Sequence, residues 1–277
     1  MNYIIVIIYN PEFDTIRKWN HLIEICTSFK FIIVDNSDED NALLFSSNCK
    51  YIPLHHNTGI ATAQNTGISY ALIHGATNIV FFDQDSDVPE GYFESIVSEY
   101  KKIKNIVPNL AMLGPTVINK ETNENYKTKG ASSSDDYVLT STLISSGTVA
   151  EINIFKEIGL MDDSLFIDGV DFEWCWRAVG KGYVCARTQR VSLLHKVGQQ
   201  YKLFLGYPII VSSPTRYFYQ YRNFLKLIRR DYVPRSWKIK TSIRRFVELF
   251  VVPFYADKKW ETFHQMLRGI KAGLINR

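Results

Sequence analysis

Residues 78–86 read Asn-Ile-Val-Phe-Phe-Asp-Gln-Asp-Ser, an apolar run of strand length that ends on two carboxylates, Asp83 and Asp85. A run without polar alternation reads as a strand covered on both faces, the kind that parallel sheets contain. Its carboxyl end is where open α/β sheets place the groups that meet ligands. Two carboxylates at i and i+2 on a turn can both face inward. Hard oxygen ligands with open positions suit Mg2+ or Mn2+ bridging a diphosphate, with Asp87 as an auxiliary. Alone, the tripeptide reads more readily as a solvated acidic turn capping the helix that begins near Pro89, and its neighbours reverse that reading.

Upstream, Tyr3–Tyr9 is a second apolar β-branched run, closed by Asn10-Pro11, and Phe31–Val34 a third, followed by Asp35-Asn36-Ser37. Between them Ile16, Trp19, Leu22, Ile23 and Cys26 recur at helical spacing within Thr15–Phe29, which makes one βαβ unit. Residues 51–54 read as an edge strand because Pro53 cannot donate to a ladder, and Gly59–His74 as a helix stopped by Gly75. Further on, Pro89–Lys104 is predicted as a helix, Ala111–Pro115 as a strand and 119–136 as a mobile polar surface loop. The pattern predicts a weak strand over Tyr137–Ser145, helices over Ile152–Ile158 and Asp171–Val179, and helix from Tyr217 onward, interrupted at Pro234 and Pro253.

The 277 residues are 46% apolar and 22% charged, which excludes a disordered, collagenous or disulfide-stapled chain. Charge is unevenly spread: residues 216–277 carry 15 Lys and Arg against 4 Asp and Glu, leaving 17 against 24 for residues 1–215. A domain over 1–215, split near 115, followed by a basic segment over 216–277 is the organisation this implies. Four cysteines without a CxxC pair, no leader pattern and no apolar run of spanning length point to reduced thiols in a cytoplasmic protein without a membrane-spanning helix.

Tyr9-Asn10-Pro11, Asp35-Asn36-Ser37, the Asp83-Gln84-Asp85 turn and the helix start Asn57-Thr58-Gly59-Ile60-Ala61-Thr62-Ala63-Gln64-Asn65-Thr66-Gly67 together resemble the nucleotide-sugar half of family 2 glycosyltransferases. Over residues 3–225 the resemblance is greatest to bacterial rhamnosyltransferases that use dTDP-L-rhamnose. It implies a GT-A type fold, a Rossmann-like, mostly parallel sheet flanked by helices, with a C-terminal helical extension. GxGxxG is absent, which disfavours a dinucleotide-binding dehydrogenase. By the resemblance, Asp35 accepts from the pyrimidine N3–H and Tyr9 and Asn10 line the base and ribose pocket. Asn57, Gly59, Ala63, Asn65 and Gln84 belong to the same nucleotide-sugar site, Asp83 approaches the ribose or a metal-bound water, Asp85 holds the metal, and His195 joins the metal or the leaving diphosphate.

A second constellation runs from Ser145-Ser146-Gly147 to Asp168-Gly169-Val170-Asp171-Phe172-Glu173 and Arg177. The resemblance makes Asp171 the general base of an inverting transfer, Glu173 a later acid, and Ser146 and Gly147 neighbours of the acceptor. Val170 stands where the family usually has Glu, and Asp168 is the candidate for the missing charge. Arg222, in the Tyr-x-x-Arg-Asn segment, is open between a phosphate and a buried acid as its partner. Gln-x-x-Arg-Trp, the mark of processive synthases, is missing.

The function expected is transfer of L-rhamnose from a dTDP-sugar to a saccharide acceptor, lipid-linked by the family's habit, at the cytoplasmic face of the inner membrane. Two readings stay open beside it: the same fold with a UDP-hexose donor, and a sugar- or nucleic-acid-binding protein without catalysis. Nucleic acid is not the expected partner in the main reading. Trp237, Ile239, Ile243, Phe246, Val247, Phe250 and Val251 recur at helical spacing with Lys238, Lys240, Arg244 and Arg245 on the polar side. That stripe suits a membrane surface, the domain itself or the partner in a homodimer equally well.

Overall fold

The continuous apolar runs become the centre of a nine-stranded sheet, because strands buried on both faces need no polar alternation. The computed structural model describes residues 1–119, 132–195, 200–204 and 207–275. It divides into two compact units, Met1–Phe166 with Val170–Lys196, and Ile167–Gly169 with Val197–Arg277. The change of charge at residue 216 falls inside the second unit.

In the first unit β1 (Asn2–Ile8), β2 (Lys30–Asp35), β3 (Cys49–Pro53) and β4 (Asn78–Asp83) are parallel, in the order β3-β2-β1-β4. The sheet continues through β8 (Val149–Glu151), β5 (Leu110–Asn119), β9 (Val184–His195), β7 (Tyr137–Thr140) and β6 (Ser132–Ser133). Ile8 lies opposite Asp35, Ile7 opposite Asp83 and Asp35 opposite Pro53, so the carboxyl ends of four strands finish level with one another. Helices α1 (Phe13–Ile25), α2 (Ile60–Ile73), α3 (Tyr92–Ile106), α4 (Ile154–Ile158) and α5 (Val170–Gly180) complete the unit. α1 buries Ile16, Trp19, Leu22 and Ile23, the residues its period selects, and Trp19 packs on Phe82 with ring centroids 5.6 Å apart.

β8 escapes the sequence patterns because three residues carry no period, yet it sits at the sheet's middle, antiparallel to β4 and β5. β9 is legible only in its apolar 191–194 portion. Its polar middle, Arg187–Arg190, faces a register shift between Gly114 and Thr116 of β5. Of the loop expected over 119–136, residues 120–131 lie outside the described residues, whereas 132–133 pair with β7 as β6.

The second unit holds a hairpin, β10 (Gln200–Phe204) with β11 (Tyr207–Val211), and helices α6 (Pro214–Leu227), α7 (Arg235–Tyr255) and α8 (Lys259–Ile275). Ser213 caps α6 by accepting from the Arg216 N–H, with Pro214 in the first turn. Pro253 does not interrupt the helix as expected: it lies in the last turn of α7, where only one backbone bond is forfeited. Tyr217, Tyr221, Val252 and Met266 form a small core. α8 approaches α6 closely at Gly269, where a Cβ would stand 2.4 Å from the Phe218 carbonyl oxygen.

An exposed helical Gly→Ala change stabilises by about 1 kcal/mol. At position 269 the clash is with backbone and the sign reverses. Gly269→Ala should lose about 1–3 kcal/mol, the range for overpacking, read as a lower midpoint in urea denaturation. A gain in stability would show that α6 and α8 are not packed this closely.

Candidate active site

The level strand ends are joined by side chains that grip backbone. Gln84 clasps the Tyr9 peptide from both sides: its Oε1 accepts from the Tyr9 N–H at 2.8 Å and its Nε2 donates to the Tyr9 carbonyl at 3.1 Å. Gln84 thus bridges β4 to β1, a role other than the ligand contact expected of it, and the Tyr9 side chain is left 44% exposed. Asn10, in a left-handed conformation (φ 44°), donates its N–H to Ser37 Oγ at 2.7 Å.

Asp35 is only 1% exposed. It accepts from the Ser37 N–H (2.9 Å), Asn41 Nδ2 (2.8 Å) and the Tyr51 hydroxyl (2.5 Å), which fastens the loop after β2 to β3. Burial, and then the bond to Asp35, push the Tyr51 hydroxyl pKa up, so Tyr51 stays a donor. Nothing in the sequence distinguishes this tyrosine from an ordinary strand aromatic.

The Asp83-Gln84-Asp85 turn is carried by α1. Lys18 Nζ donates to the carbonyls of Gln84 (3.0 Å) and Ser86 (2.8 Å), and Trp19 Nε1 donates to Gln84 (3.1 Å). Helical periodicity marks Trp19 as core but says nothing of Lys18, whose ammonium brings positive charge beneath an acidic turn. Ser86 Oγ and Ser146 Oγ lie 2.5 Å apart, both buried. Gly147 donates its N–H to Phe81 (2.7 Å) and accepts from the Tyr92 hydroxyl (2.8 Å). Ser146 and Gly147, expected beside the acceptor, therefore brace the turn from within.

Asp171 occupies the first turn of α5, where the helix dipole favours a carboxylate, and its Oδ2 accepts from the Ser145 N–H at 3.0 Å. It is also close enough to act on Asp83. The Asp83 carboxyl is pushed up to about 7, first by burial, then by Asp171 and by Asp85. Asp83 is partly buried and Asp85 exposed, so the cluster opens to solvent on the Asp85 side.

Two other acids of the second constellation are committed elsewhere. Glu173 is buried and pairs with Arg177 at 2.9 Å, and Arg177 also donates to the Ile158 and Leu160 carbonyls. Through Arg177 this buried bidentate pair tethers the loop at 158–160. Asp168 belongs to the second unit, where Arg216 holds it at 2.8 to 3.0 Å. The charge expected to replace the missing glutamate at Val170 is thus paired with a cation.

The start of α2 meets protein. The Phe166 carbonyl accepts from the Ile60 N–H at 2.7 Å and the Ala61 N–H at 3.4 Å. A Cβ on Gly59 (φ +86°) would fall 2.5 Å from the Phe166 ring, which explains the glycine. Asn57 Oδ1 accepts from Asn36 Nδ2 and the Gly59 N–H, both at 3.0 Å. Asn65 donates to the Met161 carbonyl (2.9 Å) and to Asp163 and accepts from the Met161 N–H (2.8 Å), while Ala63 is buried. Gly59 and Asn65 thus seat segment 161–166 against the start of α2.

His195 ends β9, its backbone opposite Asn119, and the neighbouring Leu194 bridges to Asp87 after the acidic turn. Its side chain lies outside the described residues. Arg222, in the second unit, stacks over Tyr219 at 4.8 Å and donates to Asn223 Oδ1, and Asn223 ties down the Ile167 and Asp168 carbonyls.

A divalent cation fits this chemistry. Asp83 and Asp85 are hard oxygen donors at an edge where crowded carboxylates raise one pKa, a cost that positive charge relieves. Among the described residues no three His, Cys, Asp or Glu side chains form a metal cage. Asp83 and Asp85 match the mode in which one or two carboxylates hold the ion while water and phosphate complete its shell.

The family model described as glycosyl transferase family 2 matches residues 3–163. The chain is 32% identical over 260 residues to dTDP-rhamnosyl transferase RfbF of Shigella flexneri, covering 87% of this chain and 84% of that protein. It is 21% identical over 294 residues to the low-salt glycan biosynthesis hexosyltransferase Agl10 of Haloferax volcanii, covering 99% and 91%. Among solved structures it resembles GalNAc-T7 with UDP, GalNAc and Mn2+ (TM-score 0.57, 15% identity), covering 91% of this chain and 58% of that one. It also resembles S. aureus TarS 1–349 in complex with UDP-GlcNAc (TM-score 0.57, 14% identity), covering 97% and 79%. These two likenesses are of fold, and that fold is GT-A.

The raised pKa of Asp83 has a sign that can be checked. Folded Asp83 keeps its proton to about pH 7, whereas an unfolded aspartate releases it near about pH 4. Between those limits the folded state binds more protons, so this group's stabilising effect falls as pH rises and is level above about 7. Urea denaturation at pH 5, 6, 7 and 8 should give a difference curve in which Asp83→Asn gains on the parent chain from pH 5 to about 7 and flattens by pH 8. A constant difference would show that Asp83 is not perturbed.

Proposed function

We propose that this chain, which belongs to glycosyl transferase family 2 and is a glycosyltransferase, transfers L-rhamnose from dTDP-L-rhamnose to a saccharide acceptor with inversion at the anomeric carbon. The identity to dTDP-rhamnosyl transferase RfbF supports the donor. One observation carries the mechanism: Asp83 and Asp85 lie at the carboxyl end of β4, and Asp171, bonded to the Ser145 N–H at the start of α5, lies near enough to raise the Asp83 pKa.

In this reading Tyr9 and Asn10 line the base and ribose pocket. Asp35, with three of its roughly four acceptor positions used internally, offers the remaining one to the pyrimidine N3–H. Asp85 would hold a divalent cation, Mg2+ or Mn2+, whose charge would favour the ionised form of Asp83. The cation supplies charge to the departing diphosphate when bound. Asp171 takes the proton of the acceptor hydroxyl as the oxygen attacks the anomeric carbon and the bond to the diphosphate breaks. Its carboxylate is oriented for this by the Ser145 N–H.

The acceptor in this reading is lipid-linked, and the work is done at the cytoplasmic face of the inner membrane. Among the described residues no helix is long and apolar enough to cross a membrane, so contact with that face would be peripheral.

Asp171→Asn separates base from scaffold. Donor binding, followed by calorimetry with dTDP and Mn2+, should stay within about twofold, while kcat falls by about 10²–10⁴, the usual share of a positioned base. The amide still accepts from the Ser145 N–H, so the α5 start is preserved. Loss of donor binding together with rate would make Asp171 a structural residue. Full activity would remove it from the mechanism.

A further inference from the structure

α7 is 21 residues long and carries two faces of opposite character. Val252 is buried, and Arg245 and Glu248 are nearly so, with Arg245 donating to Gln220 of α6 at 2.8 Å. That face is the one its own unit covers. Ile239, Ile243, Phe246, Val247, Phe250 and Phe254 are instead between 47% and 74% exposed. At 100° per residue these six fall on an arc of about 100°, a continuous apolar stripe. Phe246 and Phe250 pair along it with centroids 5.2 Å apart. Scattered surface apolar residues need no explanation, but a contiguous stripe holding three phenylalanine rings does.

Charge identifies what covers it. Lys240 borders the stripe on one side and Arg235 on the other, with Lys238 and Arg244 further round the helix. The turn into α8 adds Lys258 and Lys259, followed by Trp260, which is 84% exposed. Residues 216–277 hold 15 basic side chains against 4 acidic ones, so a second copy would bring the same excess of positive charge against this face. An anionic lipid surface takes the apolar stripe into its acyl boundary and the flanking cations at its headgroups.

We propose that the α7 face formed by Ile239, Ile243, Phe246, Val247, Phe250 and Phe254, with Trp260 beyond it, docks in the plane of a membrane rich in anionic lipid. The inference deepens the reading of a lipid-linked acceptor and rests on it for the relevance of a bilayer. Vesicle binding is measured without donor or acceptor, so its failure and the failure of the transfer reaction are separate results.

The test is cosedimentation of the full chain with vesicles of phosphatidylethanolamine and phosphatidylglycerol, against vesicles of phosphatidylcholine alone. Binding should be at least about tenfold stronger to the anionic vesicles and fall as salt rises, because exposed charges are screened within about 10 Å at 0.1 M. Phe246→Ser with Phe250→Ser should weaken it at least about tenfold, through the apolar contact. Lys240→Glu with Arg235→Glu should abolish the preference for anionic vesicles. Because all four side chains are on the surface, the thermal unfolding midpoint should stay that of the parent chain, which keeps a loss of binding from being a loss of fold. Equal binding to both vesicle types, or binding that survives both double variants, overturns the proposal. So does a concentration-dependent dimer in sedimentation velocity that the phenylalanine variant converts to monomer while vesicle binding is absent, because the face would then belong to a second copy.

Discussion

Parallel pairing in register across β1, β2 and β4 is the constraint on which the rest depends. Each strand contributes an apolar run that is satisfied only with both faces covered, and their alignment sets Ile8 against Asp35 and Ile7 against Asp83. A slip of one residue would turn every side chain to the opposite face and drive a carboxylate into the core. Register therefore does two things with one set of hydrogen bonds: it closes the core and brings Tyr9, Asp35 and Asp83 to a single edge. Ligand chemistry at that edge follows from the placement, and the loops after the strands only refine it.

The loops are refined by polar clasps. Gln84 on the Tyr9 peptide, Asn36 on Thr58 and Asn57, Asn65 on Met161, and Asp35 on Asn41 and Tyr51 each join one loop to another, and Asp35, Asn36 and Asn65 are themselves buried. An unmade buried bond costs about 1–3 kcal/mol, so such side chains hold loop geometry firmly even though each bond is modest. The strained residues Asn10 and Phe166 persist inside this network: the N–H of one is held by Ser37, and the carbonyl of the other closes the start of α2. The acidic turn is held in the same manner from below by Lys18 and Trp19, so its carboxylates are presented on a rigid support.

Electrostatics divides the chain much as contacts do. The first unit concentrates acid at its sheet edge, to the point that Asp83 retains a proton near neutrality. The second unit carries most of the excess of basic residues. A site built of crowded carboxylates attracts cations, and through them diphosphates, while a basic amphipathic helix attracts anionic surfaces.

From the sequence alone, the buried strands, the helix faces and the acidic strand end at Asp83 and Asp85 were legible, because apolar periodicity and the position of a charge after a strand are local properties. Asp171 drew notice through its resemblance to a family pattern and not through its spacing, and its role as base is proposed on that resemblance. What sequence reading could not supply were internal partners: Gln84, Asn65, Ser146, Gly147, Glu173 and Asp168 all looked ligand-facing, and each also bonds other parts of the protein. A side-chain amide or carboxylate looks the same in sequence whether it meets a ligand or a backbone peptide. The peptide that Asn65 grips comes from Met161, 96 residues away, and the one that Gln84 grips from Tyr9, 75 residues away. Only the tertiary fold brings those groups into reach, and a buried polar group takes whichever partner the fold supplies, since leaving it without one costs more than any local preference.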